Sequence, residues 1–168
     1  DPEMSRGLGD VYKRQAILSA NTLAGNNYLQ SATAPPPFIS SFGYSTSFWF
    51  KPLELPVSGG AQTILLIGNT TDIGDGAISF KYEPTGIISL YIGNGSTTQL
   101  ISQYSGLVVD TWYLISYVNL IGSTTRQFYV NGVLISSTEL TIGNPSNTIF
   151  ISGDSSTTLK FIFDELFI

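Results

Sequence analysis

The segment RQFYVNGVLISS, residues 126–137, reads as two β-strands joined by a tight turn. Apolar and polar side chains alternate before the turn, which is typical of a strand with one face in a core. Asn131 and Gly132 tolerate the positive φ angles that a two-residue type I′ turn needs at both central positions. The segment therefore predicts a β-hairpin in which residues 128–130 pair with residues 133–135.

Similar short β-rich runs, separated by turn residues, recur on both sides of this hairpin. The runs from residue 46 onward are TSFWFK, QTILLIG, AISFKY, IISLYIG, TTQLIS, TWYLISYVNL, RQFYV, VLISS, NTIFIS and TLKFIFDELFI. None of them has a helical period. An edge strand is predicted at residues 27–31, and the prolines of residues 34–37 indicate a crossing loop because proline cannot donate to a sheet. The pattern predicts an all-β, antiparallel β-sandwich of the jelly-roll type.

Two further turns link consecutive strands. Asn94 and Gly95 predict a second type I′ hairpin, in which Tyr91 and Ile92 lead into residues 97–101. Residues 83–86, Glu-Pro-Thr-Gly, predict a turn with proline at a φ it prefers and glycine available for a positive φ. The predicted sheets are therefore built largely from hairpins.

Alternation assigns side chains to faces. In residues 126–130, Phe128 and Val130 lie opposite Gln127 and Tyr129. In residues 112–119, the side chains predicted to face the core are Trp112, Leu114, Ser116 and Val118. Those on the other face, expected to be partly open to solvent, are Tyr113, Ile115, Tyr117 and Asn119. Large aromatic side chains are usually buried, which favours core positions for Phe48, Phe50, Trp112 and Phe128.

The composition excludes several functions. The chain has no Cys and no His, which excludes thiolate or imidazole metal sites, cysteine nucleophiles and Ser-His-Asp triads. Its net charge of −5 rests on twelve acidic and seven basic residues, and it lacks the basic cluster that nucleic-acid binding needs. No apolar run approaches the roughly 20 residues of a membrane-spanning helix. We therefore expect neither nucleic-acid binding nor membrane insertion.

The first fifteen residues differ from the rest. SRGLGDVYKRQ, residues 5–15, resembles the in-frame translation of a transposase adaptor used in sequencing libraries. We interpret residues 1–15 as an artefact that is not native. Residues 16–168 are then expected to form one domain, a fragment of a larger protein whose other domains are absent.

Several of the predicted strands also carry the motifs of a known family. The segments, in order, are STSFWFKP (45–52), ILLIGN (64–69), AISFKY (77–82), IISLYI (87–92), DTWYLISYVN (110–119), FYVNGVLI (128–135) and FIFDELFI (161–168). They resemble laminin-G-like domains of the concanavalin A-like lectin and glucanase superfamily. The YVNG element of residues 129–132 is the most specific part. Leu114 departs from the pattern, because many relatives carry a histidine there.

The resemblance implies a β-sandwich module that binds glycans or protein partners, often with calcium. Such modules usually belong to larger extracellular, cell-surface or phage tail and fibre proteins. Sugar binding needs an exposed aromatic ring to pack on a pyranose, with hydrogen-bonding groups beside it. The candidate ligand-binding residues are Tyr91, Tyr104, Tyr117, Asn119, Gln127 and Tyr129, with Arg126 beside them.

Calcium would need hard oxygen ligands, which loops can supply without histidine or cysteine. The best candidate loop is NTTDIGDG, residues 69–76, where Asp72 and Asp75 would be the ligands. The loop lacks the ligand order of a helix-loop-helix calcium site, and Asp and Gly are also ordinary turn residues.

The resemblance also includes glycoside hydrolases, which need two carboxyl groups on one face. On a strand these would lie at positions i and i+2 or i+4, and no acidic pair of residues 16–168 has that spacing. Asp164 and Glu165 are adjacent, so on a regular strand they point to opposite faces. We therefore expect a non-catalytic carbohydrate-binding or adhesive module. A structural or protein-interaction module is the first alternative, and a degenerate glycoside hydrolase is the second.

Overall fold

The computed structural model describes residues 28–30 by their backbone, and residues 43–56, 60–68, 73–141, 143, 148–152 and 161–167. The interpretation of residues 1–15 as an artefact and the crossing loop at residues 34–37 lie outside these ranges. The described part of the chain contains no helix, and therefore none that could cross a membrane.

The strands follow the predicted runs closely. Within the described ranges there are eleven: β1 (Tyr28–Gln30), β2 (Tyr44–Pro52), β3 (Gln62–Gly68), β4 (Ile78–Tyr82), β5 (Ile87–Gly93), β6 (Thr98–Ser105), β7 (Tyr113–Asn119), β8 (Thr125–Val130), β9 (Val133–Glu139), β10 (Thr148–Ser152) and β11 (Phe161–Phe167). Strand β1 is the predicted edge strand, and the other ten are the ten β-rich runs.

The strands form two antiparallel sheets. One has six strands in the order β1-β10-β3-β4-β5-β6, and the other has five in the order β11-β2-β7-β8-β9. Strands that are neighbours in the chain pair as hairpins from β3 to β6 and from β7 to β9. The predicted all-β antiparallel sandwich is confirmed. Strand β9 lies at one edge of the five-stranded sheet, where Val133 is 62% exposed and Leu134 is 47% exposed.

A continuous aromatic and aliphatic core lies between the sheets. Phe48 of β2 is fully buried, stacks on Phe163 of β11 at 4.9 Å between ring centroids, and meets Phe80 of β4 edge-on at 5.1 Å. Phe50 and Phe128 are also fully buried, as predicted. Phe48 thus contacts Phe163 within the five-stranded sheet and Phe80 in the six-stranded sheet, so it packs the two sheets together.

The predicted faces of β7 are reversed. Tyr113, Ile115, Tyr117 and Asn119 are all 5% exposed or less, whereas Trp112, Leu114, Ser116 and Val118 are half-buried on the outer surface. The prediction was wrong because both sets contain apolar side chains, so alternation alone does not say which set is inside. Cross-strand pairing decides it, since Ile115 lies opposite Phe48 and Val130, both core residues.

Two of the three predicted turns are confirmed. Asn131 and Gly132 have φ angles of 52° and 76°, as a type I′ turn requires. In the turn at residues 83–86, the Gly86 N–H donates to the carbonyl oxygen of Glu83 at 3.0 Å, and Gly86 has a φ of 75°.

The third turn links β5 and β6 as predicted, but it is not type I′. Gly95 has a positive φ of 88°, and Asn94 does not have a positive φ. Instead, the Asn94 side-chain oxygen accepts hydrogen bonds from the backbone N–H groups of Ser96 at 3.1 Å and Thr97 at 2.9 Å. This side-chain turn replaces the tight two-residue turn.

Candidate functional site

The outer surface of the five-stranded sheet carries a pair of tryptophans. Trp49 lies between the buried Phe48 and Phe50 on β2, so alternation directs its ring away from the core. Trp112 immediately precedes β7. The two indole rings meet edge to face, with centroids 6.5 Å apart and an interplanar angle of 90°. Both side chains are half-buried and therefore keep part of their surface in solvent.

A row of polar side chains crosses the sheet beside the tryptophans. Ser47, Ser116 and Tyr129 lie directly opposite one another on β2, β7 and β8. The Ser47 hydroxyl donates to the Ser116 oxygen at 2.9 Å, and the Tyr129 hydroxyl donates to Gln127 Oε1 at 2.9 Å. We call the outer surface formed by these side chains the tryptophan face: Ser47, Trp49, Trp112, Ser116, Gln127 and Tyr129.

Charged groups border the tryptophan face. Asp164 of β11 lies opposite Trp49, and its Oδ1 accepts the Glu165 N–H at 2.9 Å. Lys51, two residues after Trp49 on the same face, forms an ion pair with Asp110 at 3.2 Å. Aromatic rings, hydroxyls, an amide and a carboxylate therefore share one side of the sheet. Such a surface can pack on an apolar ring face and hydrogen-bond to surrounding hydroxyls.

The structure brings together only two of the six predicted ligand-binding residues. Gln127 and Tyr129 lie on the tryptophan face. Tyr117 is fully buried and Asn119 is 2% exposed, as is their neighbour Arg126, so the reversed faces of β7 remove both from any solvent-accessible surface. Their selection followed from the wrong face assignment.

The remaining two predicted residues belong to the other sheet. Tyr91 of β5 lies on the outer surface of the six-stranded sheet, with Lys81 Nζ 4.9 Å from its ring centroid. Tyr104 of β6 packs near Tyr113, with ring centroids 6.4 Å apart. Neither reaches the tryptophan face, because Tyr91 lies on the outer surface of the other sheet and Tyr104 packs against the core.

A second polar cluster accompanies Tyr91. The Ser89 hydroxyl donates to Glu83 Oε1, and Gln103 Nε2 donates to Glu83 Oε1 at 3.2 Å and to Ser89 Oγ at 3.0 Å. These groups mostly satisfy one another, whereas the tryptophan face offers two indole rings to solvent. The tryptophan face is therefore the stronger candidate.

Sequence analysis missed Trp49 and assigned Trp112 to the core. The signal for Trp49 was present, because core positions for Phe48 and Phe50 place the residue between them on the opposite face. The sequence held no such signal for Trp112. The face on which Trp112 lies depends on the register between β2 and β7, in which Trp49 pairs with Leu114.

The calcium prediction is only partly within the described ranges. Asp72 lies outside them. Asp75 is exposed, and its Oδ1 accepts the backbone N–H of Gly143 at 3.2 Å. The described residues contain no group of three or more acidic side chains that could hold a metal ion.

Comparison with known proteins identifies the family. A laminin G model of the concanavalin A-like lectin/glucanases superfamily matches residues 23–168, which is most of the chain. The chain belongs to the concanavalin A-like lectin/glucanase superfamily. The resemblance seen in the sequence is thereby confirmed. A search of curated protein sequences finds no relative of this superfamily member.

Solved structures show the same fold at low sequence identity. The binding domain of Paraclostridial Mosquitocidal Protein 1 has a TM-score of 0.63 and 14% identity, over 90% of this chain and 42% of that one. The botulinum neurotoxin serotype D binding domain has a TM-score of 0.61 and 13% identity, over 90% of this chain and 41% of that one. Domains LG4-5 of the mouse laminin alpha1 chain have a TM-score of 0.58 and 13% identity, over 83% of this chain and 37% of that one. This member of the superfamily thus spans from about a third to about two fifths of the chains it matches.

Proposed function

We propose that the tryptophan face binds a carbohydrate, and that the domain is a non-catalytic recognition module of an extracellular, cell-surface or phage tail or fibre protein. The edge-to-face pair of Trp49 and Trp112 carries this proposal, because two indole rings on the outer side of a sheet are available to pack on a sugar ring. Gln127 and Tyr129 supply hydrogen-bonding groups within the same surface, and Asp164 supplies a carboxylate at its border.

Structures of similar fold support a recognition role. One is a structure of botulinum neurotoxin type C, whose cell entry depends on interaction with two ganglioside molecules. Another is a botulinum neurotoxin DC binding domain in complex with SialylT. These ligands belong to those proteins. They support a binding module on this fold, and the tryptophan face supplies the chemistry in this chain.

A protein partner is the second candidate. The exposed Val133 and Leu134 on the edge strand β9 favour it, because an open strand edge and apolar side chains are typical of protein contacts. A botulinum neurotoxin DC binding domain of similar fold is in complex with rat synaptotagmin II.

The experiment is a glycan-array screen of the full chain, followed by titration of the strongest glycan against three variants. Trp49→Ala and Trp112→Ala should each weaken binding about fivefold or more, because an aromatic contact at the centre of a binding surface typically contributes at least about 1 kcal/mol. Tyr91→Ala is the matched control, since it removes an aromatic ring from the outer surface of the other sheet.

Equal melting temperatures for the variants would separate a loss of binding from a loss of fold. Binding lost in Tyr91→Ala but kept in both tryptophan variants would move the site to the six-stranded sheet. An array on which no glycan binds the wild-type chain would contradict the carbohydrate proposal and leave the protein partner as the better explanation.

A further inference from the structure

Four buried polar side chains lie together on the inner face of the five-stranded sheet. Thr46 and Tyr117 are fully buried, and Asn119 and Arg126 are each 2% exposed. Polar side chains so fully removed from water usually satisfy all their hydrogen-bonding groups. This cluster faces the core, on the side of the sheet opposite the tryptophan face, so it is independent of the proposed carbohydrate site.

The strand register makes the four residues neighbours. Thr46 of β2 lies opposite Tyr117 of β7, and Asn119 of β7 lies opposite Arg126 of β8. Tyr117 and Asn119 are two residues apart on one strand, so their side chains point to the same side. Directly opposite side chains on one face of an antiparallel pair stand about 5 Å apart at Cβ. All four therefore belong to one continuous patch.

Three members of the patch each carry a polar atom that has no hydrogen-bond partner, namely Thr46 Oγ1, Asn119 Nδ2 and Arg126 Nε. The Tyr117 hydroxyl instead hydrogen-bonds to Tyr44, whose ring centroid lies 5.9 Å from that of Tyr117. The nitrogen atoms of Asn119 and Arg126 can only donate, and the Thr46 hydroxyl can donate as well. An unsatisfied buried donor costs about 1 to 3 kcal/mol. The patch therefore presents three donors where an acceptor is required.

The charge of Arg126 makes the requirement stronger. Its Nη1 donates to Asn119 Oδ1 and to the backbone oxygens of Ser123 at 3.0 Å and Thr125 at 3.2 Å, which are all uncharged acceptors. Glu139 of β9 interacts electrostatically with Arg126, but its carboxylate oxygens accept hydrogen bonds from Thr124 and Thr125 and form no ion pair with the guanidinium among the described residues. A buried charge is normally compensated by an opposite charge.

We propose that Thr46, Asn119 and Arg126, beside Tyr117, form an internal site for a small inorganic anion, for which chloride is the natural probe. An anion accepts hydrogen bonds from all three donors at once and neutralises the guanidinium. Buried water would supply acceptors without supplying charge. The anion fastens β2, β7 and β8 to one another at the end of the sheet where β7 turns into β8.

The first test is thermal melting of the full chain in sodium chloride and in sodium gluconate at equal ionic strength. A ligand that binds only the folded state raises the melting temperature by mass action. We expect a rise of about 3 °C or more as chloride replaces the bulkier gluconate. Equal ionic strength removes general salt screening as a cause.

Variants tie the effect to the site. Thr46→Val removes one donor while keeping the shape of the side chain, and it should at least halve the chloride-dependent rise. Ser47→Ala is the matched control, because it removes a hydroxyl from the outer face of the same strand, and it should leave the rise unchanged. Arg126→Met should abolish the rise. Should that variant fail to fold, Thr46→Val alone still decides the outcome.

Crystals grown in sodium bromide give a direct readout, because bromide has an anomalous signal that water lacks. The proposal requires an anomalous peak within hydrogen-bonding distance of Arg126 Nε. Ordered water at that position, or a melting temperature that does not respond to chloride, would overturn it.

Discussion

Leu114 and Asn131 exchange two hydrogen bonds, both 2.8 Å long, that fix the tip of the β8–β9 hairpin to strand β7. The Asn131 N–H donates to the Leu114 carbonyl oxygen, and the Leu114 N–H donates to Asn131 Oδ1. Asn131 does this in the left-handed conformation, at a φ of 52°. One residue thus shapes the turn and holds it against the next strand.

Replacement of Asn131 should therefore destabilise the domain in two separable ways. Asn131→Ala loses the side-chain acceptor and places a Cβ-bearing residue without local hydrogen bonding at a positive φ, and we expect a loss of about 2 kcal/mol in the free energy of unfolding. Asn131→Gly keeps the backbone conformation and should cost about 1 kcal/mol. Urea unfolding of both variants measures the difference. Equal stability of Asn131→Ala and wild type would show that neither contribution matters.

Phe48 should be among the most sensitive core positions, because it contacts Phe163 within its own sheet and Phe80 across the core. Phe48→Ala leaves a cavity at a fully buried site and should cost about 3 to 5 kcal/mol. Phe48→Leu keeps most of the apolar volume and should cost clearly less. Chemical denaturation checks both values. A small effect of Phe48→Ala would mean that the two sheets close onto the vacated space.

Stability should fall in alkaline solution. Burial raises the pKa of Tyr44 to about 12 and that of Tyr82 to about 12, and it raises the pKa of Tyr117 further. Unfolded tyrosine ionises near pH 10, so above that pH the unfolded state binds fewer protons than the folded state. This contribution to stability is therefore complete below pH 10 and is lost as the pH rises towards 12.

Urea midpoints measured from pH 8 to pH 11 test the sign. The midpoint of the wild-type chain should fall above pH 10, and Tyr82→Phe should flatten the fall by removing one ionisable hydroxyl. A midpoint that rises with pH above 10 would contradict the argument.

The calcium prediction for Asp72 and Asp75 is tested by thermal melting with millimolar calcium and with chelator. If the loop binds calcium, the ion raises the melting temperature, and Asp75→Asn removes the rise because the ligand charge is lost. Asp110→Asn is the control, because that acid lies in a different loop and pairs with Lys51. An unchanged melt in all three proteins would remove calcium from the description of this domain.

Strand positions, the sandwich and the Asn131–Gly132 turn were predictable because they depend on local patterns. Periodicity and turn residues are properties of neighbouring positions, and they placed every strand from β2 to β11. The faces of β7 were not predictable in this way. Trp112 and Leu114 are as apolar as Tyr113 and Ile115, and only the pairing with Phe48 and Val130 decides which set is buried.

The candidate site depended on that same decision. Gln127 and Tyr129 were placed correctly because Phe128 and Val130 are unambiguously apolar and define the opposite face. Tyr117 and Asn119 were misplaced because a tyrosine and an asparagine suggest an outer position, whereas here they belong to a buried polar patch with Arg126. Polar side chains in a core cannot be recognised from the alternation of polar and apolar residues alone.

The open edge at β9 has a consequence for how molecules of this chain behave together. Charged residues make up 11% of the sequence, so electrostatic repulsion between copies is weak, and within β9 only Glu139 is charged. Neither proline nor lysine interrupts the strand, although natural sheets commonly use such residues to keep their edges apart. We therefore expect copies of the domain to associate through this edge, and a lysine in place of Leu134, which is 47% exposed, should reduce that association without changing the core.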